Sequence, residues 1–497
     1  MADQAADVVV VGAGNAAMSA ALSAHEHGLR VLVLERAPRR ERGGNSHYTG
    51  GAMRVAHEGV DDLVKLMPDM SEAEIRDSDF GQYTADTFFD DLATVSQYRA
   101  DPELAHLLAT ESFSTLMWMK DQGIRFLPQF GRQAFKVGGK HKFWGEPVGV
   151  AGGGAGLVED WHSLAEKAGI RVEYETRAVS LVKRGRRVIG VAWQRGDEES
   201  VYYCDSVILA SGGFQANAEW RARYLGKNWD LAKVRGTRYN TGDGIAMALD
   251  AGAMPYGNWS GCHAVGWDRN APDYGDTSMG DGFNKHNYPL SVMINADGRR
   301  FVDEGADLRN KTYAKYGRIV LDQPGQFAWQ VFDAKTSDLL LPDFYRHRRV
   351  TRVTANTLEE LAAKLDGVDA AQCVRTIEEY NQAPRTDAEF NPAVKDGLAA
   401  SSLDIPKSNW ALTIDKPPFE AFAVTCGVTF TFGGVKVNEH AQVLDQEDKP
   451  IGGLYAAGEM AAGLFFHNYP GGTGLTWGAL LGLRAGAHAA QERDPAS

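Results

Sequence analysis

Apolar residues are distributed in three textures along this chain. The first opens with Val8-Val-Val-Val11, an unbroken β-branched run of the kind buried on both faces of a parallel sheet. Gly12-Ala-Gly-Asn-Ala-Ala17 follows, then a stretch with helical spacing, then Val31-Leu-Val-Leu34 closed by Glu35. That succession predicts strand, glycine turn, helix, strand and terminal acid. Residues 61–120 are polar with helical periodicity, and Leu104, Leu107, Leu108, Phe113, Leu116, Met117 and Met119 fit helix faces. Leu127 to Gly156 is glycine-rich, carries Trp144 and Pro147, and reads as a loop over the N-terminal domain. An amphipathic helix over 157–168 stops at Gly169. Strands are expected at 171–176, 178–183, 188–193 and 200–204, with a hairpin turn at Gly185. A buried strand at 206–210 runs into Ser211-Gly-Gly213, a second glycine turn. Asp243 and Gly244 open a helix with negative charge at its positive end.

The second texture begins near Pro255, where apolar strands become sparse and Trp, Tyr, Asn, His and Asp increase. It holds an expected hairpin over 292–304 with its turn at Asp297-Gly298, helices at 357–366 and 369–382, and a loop from Asn391 to Pro418. The third texture is glycine-rich and apolar again. Phe432-Gly-Gly-Val-Lys-Val437 reads as a glycine-initiated strand, and Ile451 to Glu459 as a strand running into a glycine turn. His467-Asn-Tyr-Pro-Gly-Gly-Thr-Gly-Leu-Thr476 then opens a helix reaching about residue 490. The chain of 497 residues is too long for one simple core. We divide it into residues 1–255, a second domain at 256–425, and a return to the first domain at 426–497.

Composition narrows the function. A net charge of −13 argues against nucleic acid and requires a local basic site for any anionic substrate. No apolar run approaches the length of a membrane span, and the first residues lack the basic region of a signal peptide, so a cytoplasmic protein is expected. The four cysteines, Cys204, Cys262, Cys373 and Cys426, lie far apart, without CxxC, haem or iron–sulfur spacing. No metal site is expected.

The chemistry concentrates in the glycine turns. Gly12, Gly14 and Ala17 form the G-x-G-x-x-A pattern, with Asn15 and Ala16 at the helix N-terminus. The turn lets a pyrophosphate approach the backbone, and Glu35, about twenty residues on, is placed for a ribose hydroxyl. Arg36 either reaches the adenine end or is a solvated loop residue. Gly43, Gly44, Asn45 and Ser46, with Gly50 and Gly51, read as donors along the cofactor or as a surface loop. Ala178, Ala210, Ser211, Gly212 and Asp243 fall on the adenosine side. Gly458 and Glu459, with Gly474, Leu475 and Thr476, form a second cradle at a helix N-terminus.

These pieces, in this order, resemble the flavoprotein subunit family of fumarate reductases and succinate dehydrogenases, which includes ketosteroid and tricarballylate dehydrogenases. The carriers are Val9-Val-Val-Gly-Ala-Gly14, Gly43-Gly-Asn-Ser46, Leu209-Ala-Ser-Gly-Gly-Phe214, Thr241-Gly-Asp-Gly244, Gly298-Arg-Arg-Phe-Val-Asp-Glu304, Phe432-Gly-Gly-Val435 and Gly453-Leu-Tyr-Ala-Ala-Gly-Glu459. Gly43 to Ser46, Phe301 to Arg309 and His467 to Gly474 look most like the tricarballylate dehydrogenases. The resemblance implies an α/β fold, a Rossmann-like FAD-binding domain with an inserted α+β capping domain, and substrate held between cap and flavin. It implies hydride exchange between flavin N5 and a CH–CH or C=C bond beside a carboxylate or carbonyl, most simply tricarballylate going to cis-aconitate.

By the same resemblance, Arg309 occupies the place of a cap arginine that shuttles a proton. A guanidinium is a poor base, so burial, a second arginine or a neighbouring tyrosine must assist it. His263 stands where a histidine binds a substrate carboxylate, or is a packed loop residue. Two family ligands are missing. A histidine that precedes Met-Gly-Gly is replaced within Thr429-Phe-Thr-Phe432, and an arginine of the C-terminal glycine loop is replaced by Tyr469. Succinate and fumarate are therefore disfavoured, and Tyr469 is expected to donate to a substrate carbonyl or carboxylate. The basic residues Arg299, Arg300, Lys311 and Arg318 are expected to be mostly solvated or paired. Ser46-His47-Tyr48-Thr49 does not fit the covalent-flavin motif, so FAD is expected to be non-covalent. The partners implied are a small carboxylate or ketone and a separate iron–sulfur electron acceptor, through which the protein would sit peripheral to a membrane. The competing readings are a 3-ketosteroid-type dehydrogenase, another enone or enoate reductase, and a flavin-fold binding protein without activity.

Overall fold

The computed structural model of the chain describes residues 6–143 and 145–492. Residues 1–5, which entered the signal-peptide expectation, and Trp144 lie outside the described residues.

In chain order the elements that frame the site are β1 (Val8–Val11), α1 (Asn15–Glu26), β2 (Val31–Leu34), α2 (Pro102–Gln122) and α3 (Gly153–Lys167). Next come β3 (Arg171–Glu173), β4 (Arg177–Arg184), β5 (Arg187–Arg195), β6 (Glu198–Tyr203), β7 (Ser206–Leu209), β8 (Lys233–Val234), α4 (Asp243–Asp250) and β9 (Pro255–Asp268). The middle of the chain supplies β10 (Val292–Asn295), α5 (Arg309–Leu321), β11 (Phe327–Phe332), β12 (Arg352–Ala355), α6 (Leu358–Lys364) and α7 (Ala370–Gln382). It closes with β13 (Phe419–Val435), β14 (Gln442–Leu444), β15 (Pro450–Ala456) and α8 (Thr473–Gln491).

The first sheet runs β14-β15-β7-β1-β2-β3, parallel throughout except at edge strand β14. The valines of β1 are buried at its centre, as an unbroken β-branched run requires. The meander β4-β5-β6 lies between β3 and β7 in sequence and forms its own antiparallel sheet. A second large sheet carries β8, β13, β11 and β10 in order, with β9 and β12 also paired to β13. A separate core there joins Val292, Ile294, Trp329 and Val331 to Leu361, Cys373, Ile377 and Tyr380 of α6 and α7. Strand β13 links the two halves. Phe419, Ala421 and Ala423 belong to this second core, whereas Cys426, Val428, Phe432 and Val435 belong to the large first one.

Three segments differ from the reading of the sequence. Residues 127–156 are not one loop. Phe126–Pro128 pairs with Val148–Val150, and Ala134–Val137 with Lys140–Phe143. Gly138-Gly139, both at positive φ, close the latter as a two-residue hairpin. The expected hairpin at 292–304 keeps its turn, where Gly298 N donates to Asn295 O at 3.0 Å, but has no return strand. The Glu304 carboxylate takes that place, accepting from Met293 N at 2.8 Å while paired with Arg300 at 2.6 Å, and β10 pairs with β11 instead. Gly433 and Gly434 end a long strand rather than start a short one.

The first and last helices meet through a stripe on α8. A Cβ on Gly482 would lie 2.4 Å from Ala16 O, and one on Gly486 would lie 2.5 Å from Ala20 O. Ser23 Oγ adds a 2.7 Å hydrogen bond to Leu483 O. Gly482→Ala is therefore expected to overpack the contact at about 1–3 kcal/mol. The expected result is a lower unfolding temperature by calorimetry, with Gly131→Ala, where a Cβ meets nothing within 4 Å, as the unaffected control.

Candidate active site

The turn after β1 begins a cavity of about 220 Å³ that runs from Glu35 at one end to His263 and Tyr469 at the other. Gly12 sits at φ +107°, and a Cβ there would meet Ala210 O at 2.4 Å, so only glycine lets β7 approach. Beyond it, α1 starts at Gly14 with no side-chain cap, which leaves its N–H groups and positive dipole end to a ligand. Asn15 ties three elements to this helix start. Its N–H donates to Ser46 Oγ at 3.0 Å, its Nδ2 to Leu475 O at 2.8 Å, and its Oδ1 accepts from Trp161 Nε1 at 2.9 Å. Asn45 likewise serves the protein, donating to Thr429 O at 2.5 Å and accepting from Thr237 N at 2.9 Å.

At the β2 end, Glu35 is buried and its Oε1 accepts from Ala37 N at 2.7 Å. Burial pushes its carboxyl up to about 7, against the lowering effect of that hydrogen bond. Arg36 donates to Thr241 Oγ1 at 2.6 Å and Asp243 Oδ2 at 3.1 Å, so it belongs to a fixed network rather than to solvent. Gly12, Gly14, Asn15, Ala16, Gly43, Gly44, Asn45, Ser46, Gly50, Ala178, Ala210, Ser211, Gly212, Asp243, Gly458, Glu459, Gly474 and Leu475 also line the cavity. Ala17, Gly51 and Thr476 stand behind its wall. Ala17 is fully buried within α1, a Cβ on Gly51 would meet Gly153 Cα at 2.7 Å, and Thr476 Oγ1 donates to Arg54 O at 2.8 Å. His47 does not line the cavity either, and its Nε2 lies 3.3 Å from Thr277 O.

At the far end the rings of His263 and Tyr469 lie 4.8 Å apart, and Tyr313 packs on His263 at the same distance. Tyr469 Oη accepts from Gly474 N at 2.7 Å, which satisfies one free N–H at the start of α8. Burial pushes this phenol up to about 12 and Tyr313 well above its ordinary value. His263 is 3 % exposed and its Nε2 has no partner among the described residues. Burial, with Arg235 beside it, holds the imidazole well below its ordinary value. It is neutral at physiological pH.

A smaller chamber of about 70 Å³ continues from this end and shares Gly50, Ala52, Arg235, Tyr313 and Gly472 with the main cavity. Arg309 and Tyr313 reach it from the first turn of α5, where i and i+4 share a face. Arg309 is buried and donates to Gln133 Oε1 at 2.5 Å and Arg132 O at 3.1 Å. Burial lowers its guanidinium, and Arg132 adds to that. Arg132 pairs with Asp281 at 2.7 Å, and Glu146 pairs with the buried Arg54. His286 completes the wall, its Nε2 also without a partner among the described residues. The other basic residues of this region stay outside both spaces. Arg299 is exposed, Arg300 pairs with Glu304, Lys311 with Asp91 at 2.7 Å, and Arg318 donates to Ser260 O at 2.7 Å.

Sequence reasoning missed Arg235, His286, Gln133 and Glu146, and assigned no role to Tyr313. Tyr313 had a signal, its i+4 spacing from Arg309. Asn284-Lys-His-Asn287 had one too, since four consecutive polar residues are all buried here. Arg235 and Glu146 lie in irregular segments without a periodic pattern.

The curated relatives include a probable fumarate reductase of Shewanella frigidimarina, 29% identical over 498 residues, which span 97% of this chain and 74% of that protein. A 3-oxosteroid 1-dehydrogenase of Mycolicibacterium smegmatis is 26% identical over 593 residues, covering 99% of both chains. Among solved structures, the open conformation of a flavocytochrome c3 fumarate reductase superposes with a TM-score of 0.73 at 26% identity, covering 98% of this chain and 78% of that one. The glycine turns and uncapped helix starts around the cavity fit the diphosphate of a dinucleotide. Residues 7–475 match the FAD binding domain family, and the chain belongs to it, as a flavoprotein oxidoreductase with FAD as its cofactor.

Proposed function

We propose that this enzyme exchanges a hydride with a carbon–carbon bond next to a carboxylate in a small polycarboxylate, with tricarballylate and cis-aconitate as the pair. The observation that carries the reading is the 70 Å³ chamber beside the cofactor cavity, lined by Arg132, Arg235 and Arg309, with its two carboxylates, Asp281 and Glu146, already paired to Arg132 and Arg54. Its size and charge suit a compact polyanion within a protein of net charge −13. FAD supplies the two-electron hydride exchange. Glu35 would hold its ribose, the Gly12–Ala16 turn its diphosphate, Ala178 and Ala210 to Gly212 its adenosine side, and Gly44 to Ser46 with Glu459 and Leu475 its flavin half. The start of α8 would face the side that gathers negative charge on reduction.

The residues of the chamber divide the remaining work. Arg309, whose charge burial disfavours, moves the proton at the carbon beside the substrate carboxylate. Tyr469 and Tyr313 stay protonated at neutral pH and donate to substrate oxygen. Neutral His263 contributes a third uncharged hydrogen bond. We further propose that residues 256–425 act as the cap over the flavin, and that electrons pass to a separate iron–sulfur protein at the cytoplasmic membrane face. No helix among the described residues is long and apolar enough to cross a membrane. A ketone is the second reading, favoured by Phe430 and Tyr469 packing at 5.8 Å beside His263.

Anaerobic mixing of the holoenzyme with a substrate panel separates these readings. Tricarballylate is expected to bleach the flavin while succinate and ketosteroids do not. Bleaching by a 3-ketosteroid alone would select the ketone reading. Arg309→Ala is expected to retain FAD and to lose flavin reduction by at least about 10²-fold in stopped flow; near-normal reduction would sink the proton role.

Glu35→Gln tests the ribose assignment through two opposite effects. A buried carboxyl raised from its ordinary 4.5 to about 7 destabilises the cofactor-free fold increasingly as pH rises between those values. The variant apoprotein is therefore expected to melt higher than wild type at pH 8 and alike near pH 4. With cofactor, Glu35→Gln is expected to weaken FAD affinity about tenfold, the scale of one charge-assisted hydrogen bond. Unchanged FAD affinity would discard the ribose role.

A further inference from the structure

Arg235 stands where the two spaces meet, and none of the described residues neutralises it. Its side chain is 7 % exposed, its Nε has no partner, and among the described residues it forms no ion pair. The backbone on either side is fixed. Arg235 N donates to Val428 O at 2.8 Å at the end of β8, and Thr237 N donates to Asn45 Oδ1 at 2.9 Å. The backbone that carries the guanidinium is therefore fixed. The carboxylates of the chamber are engaged elsewhere, Asp281 with Arg132 and Glu146 with Arg54. The histidines and tyrosines that face it are uncharged. Burial, with Arg235 adding to it, depresses His263 and His286 well below their ordinary values, while Tyr313 and Tyr469 keep their protons.

A buried cation with neither a counter-ion nor a carbonyl for its guanidinium is costly. Arg221, equally buried, donates to four backbone carbonyls instead, whereas Arg235 has no such acceptors among the described residues and opens onto the cavity, where an anion would compensate it. We infer that Arg235 is the substrate-carboxylate anchor at the mouth of the chamber, supplying from the end of β8 the positive charge that the C-terminal glycine loop lacks at Tyr469. The inference rests on the carboxylate reading of the substrate. It adds a second fixed cation to Arg309 along one small space, and so predicts selection for acids with at least two carboxylates.

Titration of the FAD holoenzyme, followed by perturbation of the flavin absorbance, tests the assignment. The ligands are tricarballylate, a matched monocarboxylate and the uncharged triamide of tricarballylate. Wild type is expected to bind the triacid best. Arg235→Gln is expected to weaken triacid binding by at least about 30-fold, as truncating a buried charge pair does, and to leave triamide binding and FAD content unchanged. Arg235→Lys, a point charge without the planar fork, is expected to weaken it at least about fivefold. Wild-type affinity for the triacid in Arg235→Gln would overturn the inference while leaving the carboxylate reading intact. A fall in the flavin midpoint potential with triacid affinity unchanged would overturn it too, because the charge would then serve the flavin. If the Gln variant retains no FAD, the Lys variant decides, and unchanged affinity there overturns the assignment. A wild-type holoenzyme that binds no carboxylate would remove the proposed function and the anchor together.

Discussion

The contact between α1 and α8 is the constraint on which the site depends. Gly478, Gly482 and Gly486 present backbone where side chains would stand, so the last helix lies directly against Ala16, Ser19, Ala20 and Ala24 of the first. This brings two helix starts, at Gly14 and at Gly472, onto one cavity although they are encoded at opposite ends of the chain. Asn15 then closes the joint by bonding Leu475 O. A thicker residue in that stripe would separate the two dipole ends that a dinucleotide needs together.

Desolvation sets the chemistry inside that frame. Burial raises Glu35 and Glu459 to about 7, keeps the tyrosines protonated and keeps His263 and His286 neutral. Glu459 is held by Thr431 N at 2.7 Å, so it is positioned even before a ligand compensates its burial. The positive charge at the far end is carried by arginines, whose guanidinium holds its proton more tightly than any other group there even where burial disfavours its charge. The cavity thus has hydrogen-bonding capacity at both ends and a cationic end beyond them.

The local patterns were legible because each carries its own periodicity. The opening strand, turn, helix and strand, the meander after Gly169 and the final helix all appear where the chain's alternation places them. The acid end of β2 and the glycine turns also line the cavity as the spacing implies. The failures lie where tertiary pairing decides, as in the strand pairs within 126–150, or where a side chain stands in for backbone. Glu304 replaces a return strand, and nothing in Gly298-Arg-Arg-Phe-Val-Asp-Glu304 reveals that its carboxylate would take Met293 N. Arg235, His286 and Glu146 meet only through the tertiary fold, and no window of sequence contains two of them.

The placement of the positive charge follows from the same geometry. Tyr469 stands next to the N-terminus of the last helix. A guanidinium at that position would face the positive end of the α8 dipole, and would also face Arg235 across His263. Two buried cations at that spacing need two anions. Tyr469 instead accepts from Gly474 N, so the helix start is satisfied by a neutral group. The charge sits on Arg235, one residue beyond β8, whose N–H is bonded to Val428 O of β13, the strand that runs unbroken from the second core into the first. The backbone of the proposed anchor is thus fixed by the sheet ladder rather than by a glycine loop, which leaves the loop at 467–474 free to serve the flavin side through the start of α8.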